Sequence, residues 1–91
     1  MLTVECAPTR LGWDCDVEIV EADTRSHHNV RVSREELERW GRPGEEEPDG
    51  LLRRSFDFLL ARESPGQILK SFELAVVGRY FPEFDEEMRR E

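Results

Sequence analysis

Ser64-Pro-Gly-Gln-Ile-Leu-Lys-Ser-Phe-Glu-Leu-Ala-Val-Val-Gly-Arg-Tyr-Phe-Pro-Glu-Phe84 is the stretch on which the fold turns. Ser64 and Gln67 stand at the spacing of a capping box, and Pro65 falls at the first helical position, where its missing N–H is harmless. Ile68, Leu69, Phe72, Val76 and Tyr80 then recur along one helical face, and Leu74, Val77 and Phe81 widen that stripe beyond half the circumference. The spacing predicts a central helix over about 65–81, ended by Pro82. With the preceding Ser55-Phe-Asp-Phe-Leu-Leu60, the stretch holds six of the eight aromatics, so residues from about 51 to 84 supply most of the core.

Working backwards, Asp49 is placed to cap a helix over about 50–63, whose Leu52, Phe56, Leu59 and Leu60 follow i, i+4, i+7, i+8 spacing. Before it, Arg42 to Pro48 reads as an acidic loop with two prolines and nothing to bury. Ser33-Arg-Glu-Glu36 is a second capping box and opens a short helix over about 34–40, which Gly41 stops. Leu37 and Trp40 share one face of it.

The first third alternates instead. Leu2, Val4 and Cys6 oppose Thr3 and Glu5; Trp13, Cys15, Val17 and Ile19 oppose Asp14, Asp16, Glu18 and Val20; His28, Val30 and Val32 oppose Asn29, Arg31 and Ser33. Period two with one apolar face is the pattern of an antiparallel sheet covered on one side only. It predicts strands over about 2–6, 13–22 and 27–33, with Asp23-Thr-Arg-Ser26 as a polar hairpin turn. The expected fold class is α+β: a three-stranded antiparallel β-meander, a short helix, and two C-terminal helices packed on one face of the sheet. Residues 1–84 form the single expected domain, and Asp85-Glu-Glu-Met-Arg-Arg-Glu91 reads as a frayed acidic tail.

Residues 15 to 84 resemble a family of small, Arg-rich actinobacterial proteins. The likeness rests on His28-x-Val30-x-Val32, on Ser55-Phe56-x-Phe58-Leu59-Leu60-x-Arg62-Glu63, on Ile68-Leu69-x-Ser71-Phe72-x-Leu74 and on Arg79-Tyr80-Phe81-Pro82-Glu83. It implies the meander-plus-helices fold and a bacterial origin, and carries no activity with it.

Composition narrows the function classes. The chain has 91 residues and a formal charge of −8, with 37% of residues hydrophobic and 37% charged. Residues 1–45 hold six Arg against ten Asp and Glu, and residues 46–91 hold seven basic against eleven acidic groups, so each half is −4. No basic patch exists to release counterions from a phosphate backbone or to meet an anionic bilayer, which argues against nucleic-acid and membrane partners. Met-Leu-Thr-Val-Glu-Cys at the start has no basic region leading into an apolar run, and no segment approaches the roughly 18 apolar residues that span a bilayer. A cytoplasmic protein with two reduced cysteines is the expectation.

Cys6, Cys15, His27 and His28 are the soft ligands, but cysteines nine apart and adjacent histidines do not match zinc spacing. Cys6 and Cys15 can nevertheless face each other across the first hairpin, with His28 on the same sheet face. They are read as small apolar fillers, with a metal site or a redox-responsive thiol pair as rivals. Cys15 with His28 makes a poor nucleophile–base pair, because Asp14 and Asp16 oppose thiolate formation. Ser64 and Ser71 lack a nucleophile elbow, and no glycine-rich loop enters a helix. Glu45-Glu46-Glu47 with Asp49 does not have calcium-loop spacing.

No catalytic residue and no cofactor is therefore assigned. The reading is a non-enzymatic protein, monomer or weak homodimer, that works through contact with a protein partner. Trp13, Trp40 and Phe84 are the candidate contact residues, since exposed aromatics anchor interfaces. The alternatives are a thiol- or metal-responsive protein using Cys6, Cys15 and His28, and an acidic neutraliser of a basic partner (an antitoxin or nucleic-acid mimic).

Overall fold

Three alternating segments form three long strands in a computed structural model of the chain, which describes residues 1–89. Strand β1 (Leu2–Pro8) pairs antiparallel with β2 (Gly12–Glu21), and β2 with β3 (Thr24–Ser33). The register sets Cys6 opposite Cys15, Cys15 opposite Val30, and Val17 opposite His28, so the apolar residues of the three strands, Ala7 and Val20 apart, share one face. Val4, Cys15, Val17, Ile19, Val30 and Val32 are buried there. The opposite face carries Glu5, Asp14, Asp16, Asn29 and Arg31 and lies open to solvent, as expected for a sheet packed on one side.

The second hairpin is tighter than the sequence suggests. Glu21 pairs with Thr24, leaving the two-residue loop Ala22-Asp23, with Ala22 at φ 49°. At the first hairpin, Gly12 is required by close packing: a Cβ there would lie 2.1 Å from the Val32 carbonyl oxygen and 2.7 Å from the Ser33 Cα.

Helix α1 (Arg34–Trp40) begins with the capping box as read: the Glu36 amide donates to Ser33 Oγ at 3.1 Å and the Ser33 amide to the Glu36 carboxylate at 2.8 Å. Helix α2 (Asp49–Leu60) buries Leu51, Leu52, Phe56, Phe58 and Leu59 over the sheet. Asp49 is its first residue, and the cap position belongs to Pro48, without a side-chain hydrogen bond.

The expected helix over 65–81 does not form. The Ser64/Gln67 capping box is present but closes only a 3₁₀ turn, Pro65–Gln67. The chain then runs extended, and β4 (Ser71–Glu73) adds parallel to β3, making a four-stranded sheet in the order β1-β2-β3-β4. Helix α3 (Ala75–Tyr80) is the remnant of the expected helix. Two patterns compete between 68 and 74. Ile68 and Phe72 stand i, i+4, whereas Phe72 and Leu74 alternate with Ser71 and Glu73 at period two. Period two wins because β3 otherwise leaves its outer edge unpaired. The Asn29 amide donates to the Lys70 carbonyl at 2.7 Å, and the Leu74 amide to the Arg31 carbonyl at 3.0 Å. The branched Val76 and Val77 and the flexible Gly78 are also weak helix formers, so little in α3 favours its extension toward the N-terminus.

The tail departs from expectation as well. Phe84–Arg89 forms helix α4, with Phe84 and Met88 buried one turn apart against α1 and α2. Its acidic first turn, Asp85-Glu86-Glu87, complements the positive helix end. Residues 90 and 91 of the expected tail lie outside the described residues. Aromatic side chains join the layers: Phe56 lies between His28 (5.6 Å) and Phe72 (6.3 Å), and Phe84 meets Trp40 (5.2 Å) and Phe58 (5.3 Å) edge-on.

Candidate functional site: two clefts beside the core

The sequence candidates separate into core and surface. Trp40 is 5% exposed and Phe84 fully buried, so neither offers its ring to a partner. The Trp40 indole N–H donates to Asp85 Oδ1 at 2.8 Å, which latches α4 onto α1. Trp13 alone of the three stays half-buried, with the Arg34 guanidinium 5.2 Å above its ring.

His28 is buried and wholly engaged. Its Nδ1 hydrogen-bonds the Leu69 carbonyl at 2.8 Å and its Nε2 meets Ser26 Oγ at 3.0 Å. The neutral ring with its proton on Nδ1 satisfies both partners, since the serine hydroxyl then donates to Nε2. This residue ties the sheet to the segment that feeds β4.

Cys6 and Cys15 are not free thiols: their sulfurs are joined, with the Cα atoms 4.0 Å apart. The expectation of two reduced fillers is thereby corrected. Directly opposed residues on antiparallel strands come this close, and the alternation of the sequence places both sulfurs on the same face. Joined sulfurs are not available as thiolate ligands, and among the described residues no three His, Cys, Asp or Glu side chains gather into a group able to hold a metal ion. A disulfide is also the state typical of oxidising compartments rather than of the cytoplasm.

Two clefts open next to these groups. The first, about 290 Å³, lies between the end of α2, the 3₁₀ turn, β4 and α3. Ile68, Leu69, Phe72, Val76, Tyr80 and Phe81 line it, and Glu63 is its one carboxylate among the described residues. Tyr80 is 67% exposed and Leu69 47%, large values for apolar groups in a chain that buries most of its others. A helix over 65–81 would carry both on its buried stripe. The period-two signal at Ser71–Leu74 is what would have released them to the surface.

The second cleft, about 330 Å³, is polar. One wall is Cys6, Pro8 and Trp13 of the first hairpin, with Arg34 from α1; the other is Glu46, Glu47 and Asp49 on the acidic loop and its helix start. Arg34 was legible only as the first residue of a helix, and nothing in its spacing links it to Trp13.

No family model, curated protein or solved structure matches this chain. No helix among the described residues is long and apolar enough to cross a membrane.

Proposed function

We propose that this chain is a non-enzymatic protein that works by seating an apolar side chain of a partner protein in the Leu69/Tyr80 cleft. The observation that carries this reading is the exposure of Leu69 and Tyr80 at the mouth of an apolar cleft whose floor, Ile68 and Phe72, belongs to the core. Apolar surface of that kind, adjoining a rigid element, is characteristic of contact sites. Glu63 in the cleft and the overall charge of −8 favour a partner whose apolar anchor is flanked by basic residues. The acidic groups themselves support this reading over a dedicated neutraliser of a basic partner, because several are already matched: Glu18 by Arg25, Glu45 by Arg54, Glu83 by Arg62, and Asp85 by Arg39 and Arg89.

The test is capture from the native host with the wild-type chain, with Leu69→Lys and Tyr80→Lys, and with Glu38→Lys on the exposed side of α1 as a control. A specific partner retained by wild type and control but lost by both cleft variants is the expected result. A partner held equally by all four would sink the reading.

A further inference from the structure

The second cleft has no part in that contact, and its geometry carries a separate inference. The two joined sulfurs are unequal. Cys15 has no exposed surface, whereas Cys6 is half-buried and lines the cleft. A thiolate attacks a disulfide sulfur while the other sulfur departs, so access decides which sulfur is attacked. Here the reachable one is Cys6. Charge then decides which thiols arrive. Among the described residues the cleft presents three carboxylates, Glu46, Glu47 and Asp49, against one guanidinium, Arg34, a local excess of two negative charges. Arg34 is moreover drawn over the face of Trp13. Anionic thiols are repelled from such a cleft and cationic ones concentrated in it.

We propose that the Cys6–Cys15 bond is a thiol-exchange site, at which a neutral or cationic low-molecular-weight thiol enters the Trp13–Arg34 cleft and attacks the Cys6 sulfur. The thiolate forms a bond to Cys6 Sγ as the Cys6–Cys15 bond breaks, and Cys15 leaves as a thiolate that takes a proton from water. Cys6 then carries the thiol as a mixed disulfide. A second thiolate attacks the small-molecule sulfur of that adduct, releasing the small-molecule disulfide and the Cys6 thiolate. Two thiols are oxidised and one protein disulfide is reduced, a balanced two-electron exchange.

The experiment uses the full chain, oxidised with cystamine and freed of reagent. Opening by cysteamine (cationic), 2-mercaptoethanol (neutral) and 3-mercaptopropionate (anionic) is followed by acid quench, alkylation and mass spectrometry. Each rate is divided by that of the same thiolate on hydroxyethyl disulfide, which cancels intrinsic nucleophilicity. The expected result is an adduct located on Cys6, with cysteamine favoured over 3-mercaptopropionate by about five-fold or more at low salt and the ratio collapsing toward one in 1 M salt. Glu46→Gln with Glu47→Gln, both exposed loop positions, narrows the low-salt ratio without unfolding the chain. Failure of the bond to close under oxidation, an adduct on Cys15, or a low-salt ratio near one would each overturn the proposal. None of these outcomes bears on the Leu69/Tyr80 cleft, so the two readings fail separately.

Discussion

Gly12 and Ala22 show how much single backbone positions decide in a meander this tight. A methyl group on Gly12 would collide with the backbone of β3, which cannot swing away as a side chain can. Gly12→Ala is therefore expected to lower stability by roughly 2–4 kcal/mol, beyond an ordinary overpacking effect, read as the shift in a urea unfolding curve. A loss under half a kcal/mol would mean that β2 and β3 do not approach as described. Ala22 is the opposite case, because an L-residue at φ 49° holds a conformation that favours glycine. Ala22→Gly is expected to raise stability by about 0.5–1 kcal/mol, the relief of strain exceeding the added freedom of the unfolded chain. Neither role was fully legible in the sequence. Gly12 could be read as a break between strands, but the proximity of Val32 is a consequence of pairing across about 20 residues of chain. The polar run at 23–26 advertised a turn, yet the turn closes at Thr24, two positions before Ser26, because Ser26 and Arg25 are held in register opposite Ile19 and Val20.

At the scale of elements, α4 depends on one carboxylate. Asp85 receives the Trp40 indole N–H and the Arg39 and Arg89 guanidinium groups, and the indole hydrogen bond, foremost among these, holds its carboxyl below the usual range. The Glu45 carboxyl is lowered too, chiefly by its hydrogen bonds to Arg54, which pin the acidic loop to α2. For both, the folded-state pKa lies below the unfolded one, so their stabilising contribution is complete above the unfolded value, about 4 for such carboxyls, and is lost as pH falls through the folded one. Asp85→Ala leaves the indole donor of the buried Trp40 without its partner and is expected to cost about 1–2 kcal/mol at neutral pH. Asp85→Asn keeps an acceptor, so it should cost less while flattening the fall in stability below about pH 4. Equal acid limbs for wild type and Asp85→Asn would remove Asp85 from the account. The capping boxes at Ser33 and Ser64 were both legible and both form, but they differ in outcome. Ser33 leads into residues that favour a helix, whereas Ser64 leads into a segment that β3 can recruit as a strand. A local start signal does not encode what lies alongside it in space, and the helix expected over 65–81 failed for that reason.

Across the whole molecule, the parts differ in how far apart in sequence their contacts lie. The meander is local: β1, β2 and β3 pair as consecutive hairpins, and the disulfide spans a sequence separation of only nine. It was legible as alternation, down to which residues face the core. The remaining assembly is non-local, since β4 docks on β3 some 40 residues back and α4 packs on α1 and α2. Those contacts were hidden in the sequence, and with them the placement of Leu69 and Tyr80 at the surface and of Phe84 inside. The same division predicts how the molecule responds to damage. Replacing both cysteines, Cys6→Ser with Cys15→Ser, removes a cross-link that closes a short loop, worth roughly 2–3 kcal/mol, more at the expense of the unfolded chain than of the folded one. The register of β1 against β2 is held independently by Val4 opposite Val17 and by the buried face as a whole. The double variant should therefore stay folded, with an unchanged far-ultraviolet circular dichroism spectrum and a lower unfolding midpoint. Phe72→Asp strikes the non-local half: it places a carboxylate against Phe56 under α2, where burial of an unpaired charge costs several kcal/mol. That variant should lose cooperative unfolding altogether. Were Phe72→Asp tolerated while the cysteine variant unfolded, the hairpin bridge rather than the β4–α2 packing would be what holds the fold together.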